Sequence, residues 1–200
     1  MIAFAKPDNI IALPQKSNEW YTPARYIEAA REVLGTIDLD PASCEIANRT
    51  VKATRYYTKQ DNGLAQPWYG NVWLNPPYGR VNPELKGSIR SLQKYFSLEL
   101  LRRYQTGEIA QAIALLFGTS LSMPWFTPFW DYPVCIARYR INFDTAEGPQ
   151  DHFGYGNIFV YLGPHEQQFI DVFSRFGTIA RRVSTPKQTV QPLGLWEVQP

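Results

Sequence analysis

The tetrapeptide Asn75-Pro76-Pro77-Tyr78 is the part of this sequence whose residue types are best suited to chemistry. Two consecutive prolines fix two φ angles and remove two amide donors, so the backbone is stiff and its carbonyls can accept hydrogen bonds from another molecule. The side-chain oxygen of Asn75, the carbonyl of Pro76 and the ring of Tyr78 can then converge on one point. Together they suit an amine conjugated with a heteroaromatic ring, such as the amino group of adenine.

Methyl transfer to such an amine is the chemistry that we predict. The nitrogen is a poor nucleophile because its lone pair is delocalised into the ring. If Asn75 and Pro76 accept its two hydrogens, the nitrogen can pyramidalise and direct its lone pair at a methyl donor, and the charge that develops is stabilised. Tyr78 would stack on a base that has left the duplex. An isolated Pro-Pro pair more often marks a turn, but behind Val-Trp-Leu we favour the catalytic interpretation.

The surrounding hydrophobic pattern predicts an α/β sheet, mostly parallel, with an antiparallel pair near the C-terminal end. A loop at the carboxyl end of a buried strand points into the crevice where open α/β sheets bind ligands. Thr22 and Pro23 suit an N-cap and a first helical residue. The predicted helices cover 24–34, 42–53, 83–106 and 166–176, and the predicted strands cover 36–40, 55–58, 70–74, 110–117, 134–143 and 157–162.

The chain is expected to form a single domain over 19–182, with an irregular arm over 1–18 and an extended tail over 183–200. No apolar run reaches membrane-spanning length and no signal peptide is recognisable, so we expect no membrane partner and a cytoplasmic location.

Charge and cysteine content restrict the function only weakly. The formal net charge of +2 neither indicates nor excludes a nucleic-acid partner. Cys44 and Cys135 have no ligand spacing relative to His152 and His165, so no metal site is predicted. The residues predict no oligomeric state.

Several further segments precede the tetrapeptide in a fixed order, and together with it they resemble the small phage-type (Dam-like) DNA N6-adenine methyltransferases. The resemblance is specific over 19–80 and weaker through 140–143 and 153–163. Its segments are Glu19-Trp20-Tyr21-Thr22-Pro23, Ile37-Asp38-Leu39-Asp40-Pro41-Ala42-Ser43, Asn48 with Ala53, Tyr56-Tyr57-Thr58, Asp61-Asn62-Gly63-Leu64 and the run from Trp68 to Tyr78.

What this resemblance implies is a Rossmann-like methyltransferase sheet that uses S-adenosylmethionine. Asp40 would receive the methionine ammonium, Thr22 would bond the carboxylate, and Asp61 would hold the adenine amine of the cofactor. The usual glycine-rich loop is replaced by Pro41-Ala42-Ser43, a feature that the family shares. The residues expected to line the cofactor pocket are Trp20, Tyr21, Thr22, Pro23, Asp40, Pro41, Ala42, Ser43, Asp61 and Asn62.

Contacts to DNA phosphates are expected from three arginines. Arg80 directly follows the tetrapeptide, and Arg138 and Arg140 alternate along a predicted strand, where they would share one face.

Three alternatives stand beside a DNA methyltransferase. The same tetrapeptide occurs in methyltransferases that act on RNA bases or on protein glutamine. A catalytically silent DNA-binding relative would keep the fold without the activity. A general Rossmann nucleotide binder is disfavoured because the chain lacks a Gly-x-Gly-x-x-Gly fingerprint.

Overall fold

The computed structural model describes residues 20–78, 91–145, 148–150 and 156–183. The predicted arm over 1–18, residues 83–90 of the predicted helix 83–106, and all of the predicted tail except Val183 lie outside the described residues. The helices are α1 (Ala24–Leu34), α2 (Glu45–Val51), α3 (Leu92–Gln105) and α4 (Glu166–Phe173), and the strands are β1 (Leu39–Asp40), β2 (Arg55–Tyr56), β3 (Asn71–Leu74), β4 (Gln111–Phe117), β5 (Val134–Ala137), β6 (Phe143–Thr145), β7 (Gly148–Gln150), β8 (Asn157–Leu162) and β9 (Gly177–Ala180).

Within the described ranges, seven strands form one sheet in the order β2-β1-β3-β4-β8-β5-β9, and β6 pairs separately with β7. The pairings from β2 through β1 and β3 to β4 are parallel. Strand β8 is antiparallel to both of its neighbours, β4 and β5, so β5 runs in the same direction as β4. The predicted mostly parallel α/β sheet with an antiparallel pair is confirmed.

Both faces of the sheet are covered, as the unbroken apolar run of β4 predicts. Alternate side chains of β4 point to opposite faces. Ile113 and Leu115 belong to the core beneath α1 and α4. Ala114 and Leu116 belong to the core beneath α3. The aromatic segment after β4 folds into 3-10 turns that bury Phe126 and Phe129 in this second core, where the sequence predicts a loop or short helix.

Several sequence-based predictions are wrong at their ends. The helix predicted over 42–53 covers only Glu45–Val51, and the helix predicted over 166–176 ends at Phe173. The strands predicted over 36–40 and 55–58 shorten to Leu39–Asp40 and Arg55–Tyr56. The strand predicted over 134–143 stops at Ala137, the last residue of β5 that pairs with β9. Arg138, Tyr139 and Arg140 follow as an exposed bend, so the two arginines do not share a strand face. Thr22 is not the cap of α1: Pro23 takes the cap position, without a side-chain cap bond.

The carboxyl ends of β1, β2, β3, β4 and β5 lie along one edge of the sheet, because these strands all run in the same direction. We call it the carboxyl edge. The segments that leave it are those expected to carry function in an open α/β sheet. No helix within the described ranges combines the length and apolar character needed to cross a membrane.

Candidate active site

Asn75 follows directly on β3 at the carboxyl edge, and its amide is held from one side. Nδ2 donates to the carbonyl of Trp20 and to Oγ1 of Thr22, both at 3.3 Å. A carbonyl oxygen can only accept, so the amide nitrogen must be the atom that faces the segment 20–22. The amide oxygen of Asn75 is therefore turned the other way, toward Tyr78.

Tyr78 lies against that oxygen and against a second ring. Its hydroxyl donates to Oδ1 of Asn75 at 2.8 Å. Its ring stacks on Phe117 with centroids 3.8 Å apart and an angle of 26° between the planes. Burial raises the pKa of Tyr78 above its ordinary value, so the hydroxyl stays protonated and remains a donor. Between the two ends of the tetrapeptide, Pro76 is buried and Pro77 is exposed.

The segment 20–23 is fixed beside the tetrapeptide by a contact that the sequence does not reveal. Tyr21 and Asp144 exchange two backbone hydrogen bonds, at 2.8 and 2.9 Å. The Trp20 ring meets Phe143 edge to face, with centroids 6.5 Å apart. The pairing of β6 with this segment thus holds in place the two groups that orient Asn75.

Asp40 ends β1 and is almost fully enclosed, with 3% of its surface exposed. Its Oδ1 accepts a hydrogen bond from the Ala42 amide at 3.2 Å. Desolvation outweighs this bond and raises the pKa of Asp40 to about 7. No cationic side chain among the described residues forms an ion pair with it. A buried carboxylate of this kind is suited to a cationic ligand.

Asp61 lies in the exposed turn after β2. Its Oδ2 accepts from the Thr58 hydroxyl at 2.7 Å and from the Thr58 amide at 2.8 Å. The hydroxyl is the larger cause that holds the pKa of Asp61 below its ordinary value, so the carboxylate is ionised. Asn62 has a φ of 51°, a left-handed conformation that asparagine tolerates in turns.

The turn at 61–63 packs against the loop at 41–43. A Cβ built on Gly63 would lie 1.9 Å from the carbonyl oxygen of Pro41, so only glycine permits this approach. The Ser43 amide also donates to the Tyr57 carbonyl at 2.9 Å. The structure therefore joins the two segments that were expected to line a cofactor pocket.

The three arginines that are predicted to contact DNA are not part of the groups described above. Arg138 and Arg140 are exposed where β5 leaves the carboxyl edge, two strands away from β4. Neither forms an ion pair within the described part of the chain. Arg80 lies outside the described residues.

Sequence reasoning missed Phe117 and Gln93. Phe117 is the last residue of β4, and Gln93 lies in the first turn of α3. Oε1 of Gln93 accepts from the Phe117 amide at 3.1 Å, and its Nε2 donates to the Ser120 hydroxyl at 2.6 Å. Phe117 could have been identified in the same way as Asn75, because it lies at the carboxyl end of a predicted buried strand. Gln93 offered none, because its role depends on tertiary contact.

The sequence profile of the DNA N-6-adenine-methyltransferase (Dam) family matches residues 12–154. A DNA N-6-adenine-methyltransferase of Escherichia phage T1 is 32% identical over 84 residues. That alignment covers 41% of this chain and about a third (34%) of the length of the phage protein. A Listeria monocytogenes protein described as a class I S-adenosylmethionine-dependent methyltransferase superimposes with a TM-score of 0.43 and 8% identity, over 76% of this chain and 63% of that one.

Proposed function

Because this chain belongs to the DNA N-6-adenine-methyltransferase (Dam) family, we propose that it transfers a methyl group to the exocyclic amine of adenine in DNA. The proposal covers the activity of this chain itself, including its substrate and its methyl donor, S-adenosylmethionine. The segment 75–78 would act as the catalytic loop, and Asn75, Pro76, Pro77 and Tyr78 would contact the target base.

The orientation of the Asn75 amide is the observation that carries this proposal. Its nitrogen donates to Trp20 and Thr22, and its oxygen is turned the other way, where it accepts a hydrogen bond from the hydroxyl of Tyr78. The carbonyl of Pro76 receives no hydrogen bond from a described backbone amide. Two acceptors on a stiff loop beside an aromatic ring match the two hydrogens and the plane of an aminopurine.

The residues at the carboxyl ends of β1 and β2 fit the proposed cofactor. S-adenosylmethionine, when bound, supplies an electrophilic methyl group on a sulfonium. Asp40 would pair with the methionine ammonium, because a buried carboxylate without a cationic side-chain partner gains most from such a charge. Asp61 and Asn62, in the adjacent exposed turn, would face the adenosine part of the cofactor, and Pro41, Ala42 and Ser43 would line the space between them.

The expected DNA contacts are compatible with the same edge. Strands in a sheet are spaced by about 4.8 Å, so the end of β5 lies roughly 10 Å from the end of β4. Arg138 and Arg140 at that distance would reach phosphates that flank a nucleotide flipped toward Tyr78. Arg80 is proposed as a third phosphate contact, from its position after the catalytic loop.

Sequencing the DNA of cells that express the protein tests the activity and gives the target sequence. We expect new N6-methyladenine in a fixed sequence context, absent from cells that express Asn75→Ala. The purified variant should retain affinity for S-adenosylmethionine, because Asn75 is assigned to the amine and not to the donor. Wild-type turnover by Asn75→Ala would remove this assignment.

A transfer assay with labelled S-adenosylmethionine and DNA, RNA or protein as the acceptor separates the alternatives. Transfer to RNA or to protein glutamine alone would overturn the DNA assignment. If the protein bound DNA but not S-adenosylmethionine, a catalytically silent relative would be the better description.

A further inference from the structure

The slot beside the proposed catalytic loop is closed by the protein's own rings. Aromatic pairs in proteins usually have centroids about 4.5–7 Å apart. The centroids of Tyr78 and Phe117 are 3.8 Å apart, and their planes differ by 26°, so the two faces overlap closely. No third ring can lie between them until the distance roughly doubles. A base that stacks on Tyr78 from this side must first separate the pair.

The acceptor on Asn75 is also occupied. The hydroxyl of Tyr78 donates to Oδ1 at 2.8 Å, the oxygen that the proposed function assigns to the target amine. A phenol resembles an aminopurine in this respect, since each carries a hydrogen-bond donor at the edge of an aromatic plane. Tyr78 thus makes, with its hydroxyl, a contact that the proposed function assigns to a flipped adenine, while its ring lies on Phe117.

We propose that Phe117 is the second stacking face of the target-base slot, and that Tyr78 fills this slot until the incoming base displaces it. This inference rests on the proposed function. It adds a residue that contacts the base, on the strand next to the catalytic loop. On base insertion, Tyr78 gives up the Asn75 oxygen and the Phe117 face, and the base takes both.

Phe117 is the fixed member of the pair. Its amide is held by Gln93, whose other end is bonded to Ser120, and Gln93 is buried. Among the described residues, the contacts that hold the side chain of Tyr78 are its bond to Asn75 and the stack itself. Separation of the pair therefore moves Tyr78 and leaves Phe117 in place.

Space for that movement lies beside the pair. Both rings line a cavity of about 190 Å³, together with Gln93, Ser120, Met123 and Trp125. The cavity is smaller than the roughly 300–1,000 Å³ typical of sites for small ligands, so it suits one ring rather than a whole nucleotide. When the base displaces Tyr78, one aromatic stack and one hydrogen bond are lost and contacts of the same kinds are formed. The two states therefore differ little in free energy, and the displacement is reversible.

Two substitutions with opposite expected effects test the inference on the DNA sequence that methylome sequencing identifies. Phe117→Leu removes the face that receives the base, and we expect kcat/KM for DNA to fall roughly tenfold, as for the loss of one base–aromatic stack. Phe117→Trp should restore most of it. Tyr78→Phe removes the hydroxyl that occupies Asn75 but keeps the ring, so we expect a lower KM for DNA. A purely structural role of either residue would not produce these opposite changes.

Tyr132→Leu is the matched control. Tyr132 is a half-buried ring just before β5, at the opposite edge of the sheet. The substitution Tyr132→Leu should leave kcat/KM for DNA unchanged.

A duplex with 2-aminopurine in place of the target adenine adds a direct signal, because the fluorescence of 2-aminopurine rises when the base leaves the stack. Stacking on Phe117 should quench part of this rise, so Phe117→Leu should give a brighter complex than the wild type.

The outcomes separate the inference from the proposed function. If the wild type methylates DNA while Phe117→Leu keeps full kcat/KM and wild-type fluorescence, Phe117 is not a wall of the slot and the inference is wrong. An increased KM for DNA in Tyr78→Phe would show that the hydroxyl assists the base, which also overturns it. If the wild type does not methylate DNA, the proposed function itself fails.

Discussion

The hydroxyl of Thr22 was expected to cap a helix and to bond the cofactor carboxylate, but in the structure it accepts a hydrogen bond from Asn75. The bond is 3.3 Å long, and a neutral hydrogen bond of this kind contributes about 0.5–1.5 kcal/mol. Thr22 therefore has two possible effects on the reaction, one through Asn75 and one through the cofactor.

Thr22→Val distinguishes the two effects, because it keeps the shape of the side chain and removes the hydroxyl. If orientation of Asn75 is its role, kcat should fall about threefold to tenfold, with unchanged affinity for S-adenosylmethionine. Thr22→Ser should restore kcat. Weaker cofactor binding at unchanged kcat would instead assign Thr22 to the cofactor carboxylate.

Asp40 should make cofactor affinity depend on pH. Its pKa in the folded protein is about 7, raised by desolvation, so the carboxylate is mostly ionised only above that pH. Pairing with an ammonium requires the ionised form. We expect calorimetry to show an affinity for S-adenosylmethionine that falls toward tenfold per pH unit below pH 7, as the carboxylate becomes protonated. Asp40→Asn should bind weakly at every pH, and an equally steep dependence in that variant would exclude Asp40 as the cause.

The same group should lower stability at neutral pH. A carboxyl whose folded pKa is raised binds its proton more tightly in the folded than in the unfolded state, so the free energy of unfolding decreases as pH rises from about 4 to about 7. Asp40→Asn should therefore be more stable than the wild type at pH 8, by roughly 2–4 kcal/mol in urea denaturation. At pH 4 the difference should vanish. The exposed Asp171→Asn serves as the control, and equal stability of Asp40→Asn and wild type at pH 8 would contradict the expectation.

At the scale of elements, the contact between the turn 61–63 and the loop 41–43 determines whether the ends of β1 and β2 can share one ligand. Gly63→Ala would place a methyl group 1.9 Å from the Pro41 carbonyl oxygen and force the two segments apart. We expect a loss of about 1–3 kcal/mol in the free energy of unfolding and weaker binding of S-adenosylmethionine.

Gly156→Ala is the matched control for this substitution. Gly156 also lies at the carboxyl edge, but a Cβ there would meet no atom of the described residues within 4 Å. The substitution Gly156→Ala should therefore change neither the free energy of unfolding nor the affinity for S-adenosylmethionine. If Gly63→Ala behaved in the same way, the two segments would be less tightly coupled than the structure indicates.

Elements with a strong hydrophobic pattern were predictable from the sequence. The strand over 157–162 is confirmed residue for residue, and the first helix is confirmed except at its start, which lies one residue after the predicted first helical residue Pro23. Strand β4 begins one residue later than predicted. The spacing of their apolar side chains predicts which residues are buried, so the local sequence is sufficient to predict these elements. Asn75 and Tyr78 were identifiable for a related reason, since residue type and position after a buried strand are both local properties.

Other features depend on partners far away in the chain. The end of β5 at Ala137 is set by where β9 stops pairing, and β9 itself was not predicted. The bond from Asn75 to Thr22 joins residues 53 positions apart, and the contact of Phe117 with Tyr78 joins two different strand ends. No pattern within either segment specifies such contacts.

For the whole molecule, a net charge of +2 gives little general attraction to nucleic acid, so the distribution of charge along the carboxyl edge becomes the relevant quantity. The exposed Arg138 and Arg140 are the proposed phosphate contacts on the described part of this edge. Arg49, which is exposed and paired with Glu45, provides a comparison of the same residue type.

Replacement of Arg138 or Arg140 by alanine should weaken DNA binding by a similar amount for all sequences. The slope of log affinity against log salt should become shallower by about one for each phosphate that the protein no longer neutralises. Fluorescence anisotropy over a salt series measures both quantities. Arg49→Ala should leave the slope unchanged, and an unchanged slope in both edge variants would place the DNA elsewhere.

The insertion of β8 between β4 and β5 has a consequence for the order in which the protein forms during synthesis. Strand β8 is made after both of its neighbours, yet it is what joins them. Until residues 157–162 have left the ribosome, Phe117 and Arg138 cannot be held at a fixed spacing. Domains generally fold as units as the chain emerges. The proposed site can therefore assemble only once most of the chain has been translated, and a nascent chain that still lacks these residues also lacks the surface that we propose for DNA.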